Sequence, residues 1–402
     1  MEQRPAKLAL LVGILGTLTA FGALSIDMYL PAFPEIAKDF AVPFASIQLS
    51  LTSFFIGLAM GQVLYGPVID RFGRKPPVYV GLIIYILSSI GCALAPNTET
   101  LVAARFAQAL GACGGMVAAR TIVRDMFNET DSARVFSLLM LVMGLAPILA
   151  PLIGGYVSIA FGWHSIFLIL CGISVLTLIG VFFLLPETKG PNPENKLSDA
   201  LKRYILITQN KRFMGFAVAG GLAQAGMFAY ITGSPFVFIE LFKIPSEHYG
   251  WVFGSNAFGL IVASQINVQL LKRIHPENIL RATFGVLGAA GSWLLIAGVF
   301  NFDFVAMIIP LFIFIATLGV TLPNTSAAAL ASEGQRAGSA SALLGTIQFT
   351  FAAIASALVS GLDNGTALPM CAGIATCGLL ALGTFAFTTR NLPRHSNIMP
   401  SK

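Results

Sequence analysis

Charged side chains are scarce in this sequence, and their scarcity excludes an ordinary soluble protein. Only 10% of the 402 residues are Asp, Glu, Lys or Arg, whereas 56% are hydrophobic. A soluble domain usually carries about 25% charged residues, because water must solvate its surface. A soluble core of this size could not bury so much apolar surface. The composition therefore predicts an integral membrane protein, with hydrocarbon as the solvent for most of its surface.

The residue sets that build metal, disulfide or catalytic sites are also lacking. A membrane-embedded enzyme would need a His/Asp cluster or a Ser/His pair at membrane depth, and a receptor usually carries an added soluble domain. Neither is evident, so we expect no enzyme, no metal and no cofactor. The cysteines fall inside apolar runs without metal-ligand spacing to histidine, and we expect free packing residues. They are Cys92, Cys113, Cys171, Cys371 and Cys377.

Twelve apolar runs of about 20 residues are present, each long enough to cross hydrocarbon as a helix. In lipid every backbone polar group must be satisfied internally, so helices are expected rather than open strands. The runs lie near residues 8–30, 45–65, 77–95, 100–122, 135–160, 164–185, 213–238, 249–270, 280–300, 304–325, 338–361 and 368–388.

The distribution of Lys and Arg predicts the orientation in the membrane. With the N-terminus inside, only Lys38 and Lys243 fall in outer loops, and Arg105 falls within a span. All other Lys and Arg residues then lie on the inner side, as the positive-inside rule requires. Topology thus explains the net charge of +6, and no nucleic-acid partner is expected. Both termini are predicted to be cytoplasmic.

The polar stretch 186–212 divides the chain into two halves of six spans each. The predicted organisation is an N-terminal bundle over 1–185, a cytoplasmic linker over 186–212, a C-terminal bundle over 213–388 and a cytoplasmic tail over 389–402. Within the linker we expect a short amphipathic helix from Ser198 to about Thr208. Two halves of equal span number are typical of a duplicated transporter.

Two opposite charges remain inside the spans, Asp27 on the first and Arg105 on the fourth. At about 1.5 Å of rise per residue, both lie one to two turns from the outer end, at similar depth. A charge at membrane depth is costly and usually faces a cavity or a partner. Snorkelling to the outer surface is the alternative. A partly desolvated carboxylate near an Arg experiences opposed effects on its proton affinity, which suits a proton-coupling group.

The segment between the second and third spans reads Gly66-Pro-Val-Ile-Asp-Arg-Phe-Gly-Arg-Lys75. Its G-x-x-x-D-R-x-G-R-K pattern resembles the signature of the major facilitator superfamily, in which this loop is a conformational latch. The resemblance implies a latch of Gly66, Asp70, Arg71, Gly73, Arg74 and Lys75. It also implies a charge cluster of Asp70 and Arg74 with an acid at the inner end of the fourth span, here Asp125. Asp70 could also cap a helix N-terminus.

Two further elements carry the same resemblance. The fourth span holds Arg105, Gln108 and Gly111 in the R-x-x-Q-x-x-G spacing whose Arg the family links with proton transfer. The fifth span resembles the antiporter motif of drug exporters, although Ala146 stands before the first Pro where many members have Gly. The motif positions are Gly144, Pro147, Pro151, Gly154 and Gly155.

The segment Ser25-Ile-Asp-Met-Tyr-Leu-Pro-Ala-Phe-Pro34 is similar to the Bcr/CflA group of bacterial drug:proton antiporters. The resemblance implies an all-α major facilitator fold, with twelve transmembrane helices in two pseudo-symmetric bundles around a central cavity. It implies proton-driven efflux of small amphipathic antibiotics, of the bicyclomycin or chloramphenicol type, by alternating access in the bacterial inner membrane. The expected partners are drug, protons and lipid, with the protein as a monomer. A small-metabolite exporter, for an amino acid or sugar, is the alternative.

Ligand sites in such transporters lie near the midplane between the halves. Met and aromatic surfaces adapt to varied apolar ligands. The candidate cavity residues are Met28, Tyr29, Gln62, Met116, Gln224, Phe228, Tyr230, Asn256, Asn324 and Gln348.

Overall fold

The computed structural model describes residues 5–127, 129–192 and 197–390, and within these ranges the chain is helical and contains no strand. The predicted tail lies outside the described residues, apart from Thr389 and Arg390. The helices are α1 (Pro5–Asp27), α2 (Phe33–Asp39), α3 (Phe44–Phe72), α4 (Lys75–Ala93), α5 (Thr98–Met126), α6 (Glu129–Phe161), α7 (His164–Leu184), α8 (Leu197–Thr208), α9 (Lys211–Pro235), α10 (Ser246–Leu270), α11 (Pro276–Val299), α12 (Phe304–Leu330), α13 (Ala337–Gly361) and α14 (Leu368–Thr389).

Eleven spans of the described chain are long and apolar enough to cross a membrane. The eighth predicted span corresponds to α10, whose 25 residues are also long enough to cross. Its polar side chains, among them Asn256, Gln265 and Asn267, make it less apolar than the rest. Within the described residues, these eleven spans and α10 correspond one to one to the twelve spans predicted for the all-α fold. Large apolar side chains such as Leu87, Phe183 and Phe387 are exposed, as hydrocarbon allows.

The chain divides into two compact units. One comprises residues 1–201 with 246–250, and the other comprises residues 202–245 with 251–402. The division at residues 201 and 202 falls inside α8, the helix predicted from Ser198 to Thr208 and observed as Leu197–Thr208. Tyr204 and Ile207 of this helix are buried, whereas Leu201 and Ile205 are exposed.

In the first unit, α5 packs against α3 and α4, and α1 packs against α6 and α7. Helix starts follow local sequence. The Asn97 side chain accepts a hydrogen bond from the Thr100 amide at 2.9 Å and caps α5. Proline in the first turn of α4 removes a backbone donor that would have no helical partner there.

In the second unit, α9 packs against α12, α13 and α14, and α11 packs against α12 and α14. Asn210 caps α9 by accepting from the amides of Arg212 and Phe213 at 3.0 and 3.2 Å. Asp303 caps α12 by accepting from the Ala306 amide at 3.0 Å. These caps satisfy donors that a helix leaves unpaired at its N-terminus.

Two predicted boundaries near the site differ from the structure. Helix α1 ends at Asp27, close to the predicted end of the first span, but a 3-10 turn at Leu30–Ala32 then leads into the additional short helix α2. Helix α3 continues to Phe72, so Gly66, Asp70 and Arg71 lie in its last turns rather than in a loop. Helical hydrogen bonding continued through polar residues that hydropathy had marked as loop.

Candidate functional site

Both membrane charges are buried, and of the two arrangements predicted for them, a pair or a shared cavity, the ion pair is not formed in the described residues. Asp27 is the last residue of α1 and 4% exposed, and Arg105 on α5 is fully buried. No ion pair joins Asp27 to Arg105 among the salt bridges of the described residues. The burial of Arg105 argues against the snorkelling alternative, since its guanidinium does not reach the surface.

Aromatic rings surround the guanidinium of Arg105. Its Cζ atom lies 4.2 Å from the ring centroid of Phe54, 4.8 Å from that of Tyr29 and 5.8 Å from that of Phe167. The negative ring faces attract the cation, and the attraction is stronger where water is excluded. Three elements supply these rings: α3, the turn after α1, and α7.

The R-x-x-Q-x-x-G element of α5 forms a short polar chain. Arg105 Nη1 donates to Gln108 Oε1 at 2.5 Å, and Gln108 Nε2 donates to Ser89 Oγ on α4 at 2.8 Å. The Nε and Nη2 atoms of Arg105 are buried without a hydrogen-bond partner in the described part of the chain. Gln108 therefore fixes one end of the guanidinium and leaves two donors available.

Gly111 allows α5 to approach α4 closely. A Cβ atom there would lie 2.6 Å from the Tyr85 backbone nitrogen and 2.7 Å from the Gly81 carbonyl oxygen. These separations are too short for any side chain without a backbone shift. The three motif residues thus lie along the side of α5 that faces α4 or the aromatic rings.

The segment around Asp27 is held by hydrogen bonds on both sides. Two residues before it, Ser25 Oγ lies 2.6 Å from Tyr85 Oη on α4. Two residues after it, Tyr29 Oη lies 2.9 Å from Ser50 Oγ on α3. The backbone that carries Asp27 is therefore fixed by the same helices, α3 and α4, that contact the Arg105 element.

The predicted antiporter motif contacts this segment directly. Gly144, Pro147, Pro151, Gly154 and Gly155 all lie within α6. A Cβ atom at Gly154 would overlap the carbonyl oxygen of Met28 and lie 2.7 Å from its carbonyl carbon. The missing side chain lets α6 touch the backbone of the residue that follows Asp27.

The predicted charge cluster of the latch is present where α3 and α5 end and α4 begins. Arg74 Nε lies 2.7 Å from Asp125 Oδ2, and Arg74 Nη1 lies 3.2 Å from Asp70 Oδ1. Burial opposes the charge of Arg74, but the hydrogen bonds and attraction of Asp125 and Asp70 outweigh it and raise its pKa. Gly73 takes a φ of +88° that favours glycine.

Asp70 stands at the end of a helix, whereas a capping role would place it at a helix start. It lies in the last turn of α3, and the α4 N-terminus is bound by a residue that sequence reasoning missed. Glu187 accepts from the Arg74 amide at 2.7 Å and from the Lys75 amide at 3.1 Å. The only signal was an acid in the Pro-Glu-Thr-Lys sequence directly after the sixth span.

Most candidate cavity residues are buried. Tyr230 Oη accepts from Asn256 Nδ2 at 3.2 Å, and Asn324 Nδ2 donates to Asn267 Oδ1 at 2.8 Å. Gln224 and Gln348 are half-buried. The others are buried to 6% exposure or less: Met28, Tyr29, Gln62, Met116 and Phe228. In the described residues no group of three or more His, Cys, Asp or Glu could hold a metal ion.

The chain resembles known transporters along almost its full length. A family model described as Major Facilitator Superfamily matches residues 15–360. An uncharacterized MFS-type transporter YdgK of Bacillus subtilis is 37% identical over 93% of both chains. A Bicyclomycin resistance protein homolog of Haemophilus influenzae is 33% identical, covering 95% of this chain and 96% of that protein.

Among solved structures, a D-xylose-proton symporter superposes with a TM-score of 0.71 over 94% of this chain and 96% of its own. Because the two sequences are only 14% identical, this similarity shows a shared fold and nothing about function. The protein is a multi-pass membrane transporter and not an enzyme. The chain belongs to the major facilitator superfamily, and its relatives confirm the resemblance to the Bcr/CflA group.

Proposed function

We propose that this transporter exports small amphipathic antibiotics, of the bicyclomycin or chloramphenicol type, in exchange for protons. The observation that carries the proposal is Asp27, an acid buried at the end of a transmembrane helix. It directly precedes Met28, whose backbone lies against Gly154 of the antiporter motif. The drug class is supported by the relative named for bicyclomycin resistance. We place the protein in the bacterial inner membrane as a monomer with both termini cytoplasmic.

The proton and the drug act on one carboxylate. A charged Asp27 is costly in its buried position, and its cost falls when a proton neutralises it or a bound drug donates a hydrogen bond to it. A proton arriving from outside displaces the drug, and release of the proton inside readies the site for the next drug. Exchange follows because each ligand stabilises a different population of states. No cofactor is needed, since the proton gradient supplies the energy.

Arg105 has a separate task in this scheme. In the present structure its charge is enclosed by aromatic rings and bound to Gln108, not paired with Asp27. Its unpartnered Nε and Nη2 atoms are donors that a carboxylate could meet in another state of the cycle. We propose that Arg105 stabilises charged Asp27 in that state and thereby promotes proton release.

The proposal is tested with inverted vesicles that carry wild type or Asp27→Asn. We expect proton-driven uptake of drug by the wild type and loss of it in the variant. The matched control is Glu99→Gln, which changes an exposed acid in the first turn of α5. Proton-driven drug uptake that survives in Asp27→Asn, at normal protein level, would refute the role of Asp27. A panel of antibiotics, amino acids and sugars separates drug export from export of a metabolite.

A further inference from the structure

The chain that follows α7 is bound to the latch by four contacts, which form a strap defined here as residues 187–192. Glu187 accepts from the amides of Arg74 and Lys75. Thr188 Oγ1 donates to Asp125 Oδ2 at 3.0 Å. The Asn192 amide donates to the Arg71 carbonyl oxygen at 2.9 Å. These contacts bind both components of the latch, the α3–α4 turn and the inner end of α5.

The two hydrogen bonds of Glu187 are the strongest of these contacts, because their acceptor is a charged carboxylate. Its two carboxylate oxygens accept from two successive amides at the start of α4, where the helix has unpaired donors and a partial positive charge. Arg74, the N-cap residue of α4, offers no side-chain cap of its own. A hydrogen bond to a charged acceptor is about twice as strong as a neutral one.

Gly73 adds a steric condition to the strap. A Cβ atom at this position would lie 3.0 Å from the Lys189 carbonyl oxygen and 3.3 Å from Glu187 Oε2. The glycine therefore does two things at once: it adopts the positive φ of the turn and makes room for the strap.

The other end of the same linker is bound to charged residues in the second unit. Asn210 Nδ2 donates to Glu333 Oε1 at 2.7 Å, and Arg212 Nη2 lies 3.7 Å from Glu277 Oε1. Glu277 and Glu333 are both buried. Each end of the linker thus contacts a charged cluster of its own unit.

We propose that Glu187 is a positioning residue of the latch, and that the strap makes the latch and the linker form and break their contacts together. A latch opened by loss of the Arg74–Asp125 pair would release Thr188, and a strap pulled away would release the start of α4. The inference goes beyond the proposed function, because it requires a transport cycle but neither a particular drug nor a particular ion.

Amide hydrogen exchange tests the strap without any substrate. In Glu187→Ala, the amides of Arg74 and Lys75 should exchange about tenfold faster, because a charged acceptor is lost. In Asp125→Asn, the Asn192 amide should also exchange faster, although it bonds to Arg71 and not to Asp125. Lys189→Ala is the matched control, since it removes only a side chain with no hydrogen bond or ion pair among the described residues. Unchanged exchange at Arg74 and Lys75, or at Asn192, would overturn the proposal.

Transport supplies the second readout. With a compound that the wild type exports, Glu187→Ala should lower turnover at least threefold while the drug Kd stays within twofold. Glu187→Gln retains one acceptor oxygen, so its turnover should lie between that of the wild type and that of Glu187→Ala. Wild-type turnover in Glu187→Ala, or an equal loss in Lys189→Ala, would overturn the coupling. If no antibiotic is exported, the proposed function fails while the exchange result still stands.

Discussion

Gly154 of α6 lies against the backbone of Met28, and the carbonyl carbon of Met28 would be 2.7 Å from a Cβ atom at this glycine. Met28 directly follows Asp27, so this glycine contacts the backbone of the residue next to the buried acid. Proline and glycine are common in membrane helices, and small residues there usually serve close helix packing. Here the close packing occurs beside the residue to which we assign proton coupling.

We therefore expect Gly154→Ala to impair transport. The added methyl must push α6 away from Met28 or displace the turn after α1, and overpacking of this kind usually costs about 1–3 kcal/mol. The thermal midpoint in detergent should fall, and the pH dependence of exchange should shift because the backbone of Asp27 moves. Gly172→Ala on α7 is the control, since nothing lies within 4 Å of a Cβ atom there. A wild-type pH profile in Gly154→Ala would contradict the link to Asp27.

Replacement of Arg105 by Lys should not restore function. Lysine keeps the charge, but it lacks the planar guanidinium that lies among three rings and bonds to Gln108. We expect Arg105→Lys to fold, to bind drug and to lose most proton-driven exchange. Drug binding and exchange are measured on the same reconstituted protein. Gln108→Ala should show a smaller loss, because it removes one hydrogen bond and leaves the rings in place. Full exchange by Arg105→Lys would show that charge alone suffices.

Hydropathy and charge distribution predicted the spans well, because the bilayer imposes length and polarity on each helix. They could not predict the break after Asp27 or the extension of α3 to Phe72. The break and the extension both depend on backbone hydrogen bonds. Polar and apolar residues make these bonds equally well, so hydropathy does not report on them. The α10 helix was predicted as the span 249–270 despite its polar side chains, and it is observed as Ser246–Leu270.

The site was predicted only in part, for a different physical reason. Asp27 and Arg105 were identifiable because charges inside spans are rare. The rings around Arg105 were not, because the chain has 32 Phe residues and nothing in the sequence distinguishes Phe54 or Phe167 from the others. Glu187 was missed because its importance depends on the turn at Gly73, which brings the two amides towards it.

The latch should show energetic coupling between Arg74 and Asp125. The Arg74 side chain is 4% exposed and that of Asp125 22%, so water screens their 2.7 Å contact only weakly. In a double-mutant cycle with Arg74→Ala and Asp125→Ala, we expect a coupling energy of about 1–3 kcal/mol in thermal or denaturant stability. The Asp70 pair should couple less, because the Asp70 side chain is 50% exposed. Strict additivity of Arg74→Ala and Asp125→Ala would contradict the structure.

Asn256 offers a test of the cavity assignment in the second unit. Its Nδ2 atom donates to Tyr230 Oη at 3.2 Å and to the Val252 carbonyl oxygen at 3.1 Å, while Oδ1 is buried without a partner in the described residues. Asn256→Leu removes the amide's two donated bonds together with its unpaired oxygen. Removing one partner of a buried hydrogen bond is usually destabilising, but the substitution also removes the buried, unpaired Oδ1. We therefore expect a net change within about 1 kcal/mol.

The functional effect of Asn256→Leu should be selective. If Asn256 Oδ1 accepts a hydrogen bond from a bound drug, the variant should lose resistance to polar drugs, which carry such a donor. It should keep resistance to apolar drugs. Growth inhibition across a drug series, at equal protein level, measures this. Asn267→Leu is the comparison on the same helix, since Asn267 Oδ1 already accepts from Asn324 at 2.8 Å. A uniform loss across the series would show that Asn256 supports the packing of α10 rather than drug selection, because a packing defect affects every substrate alike.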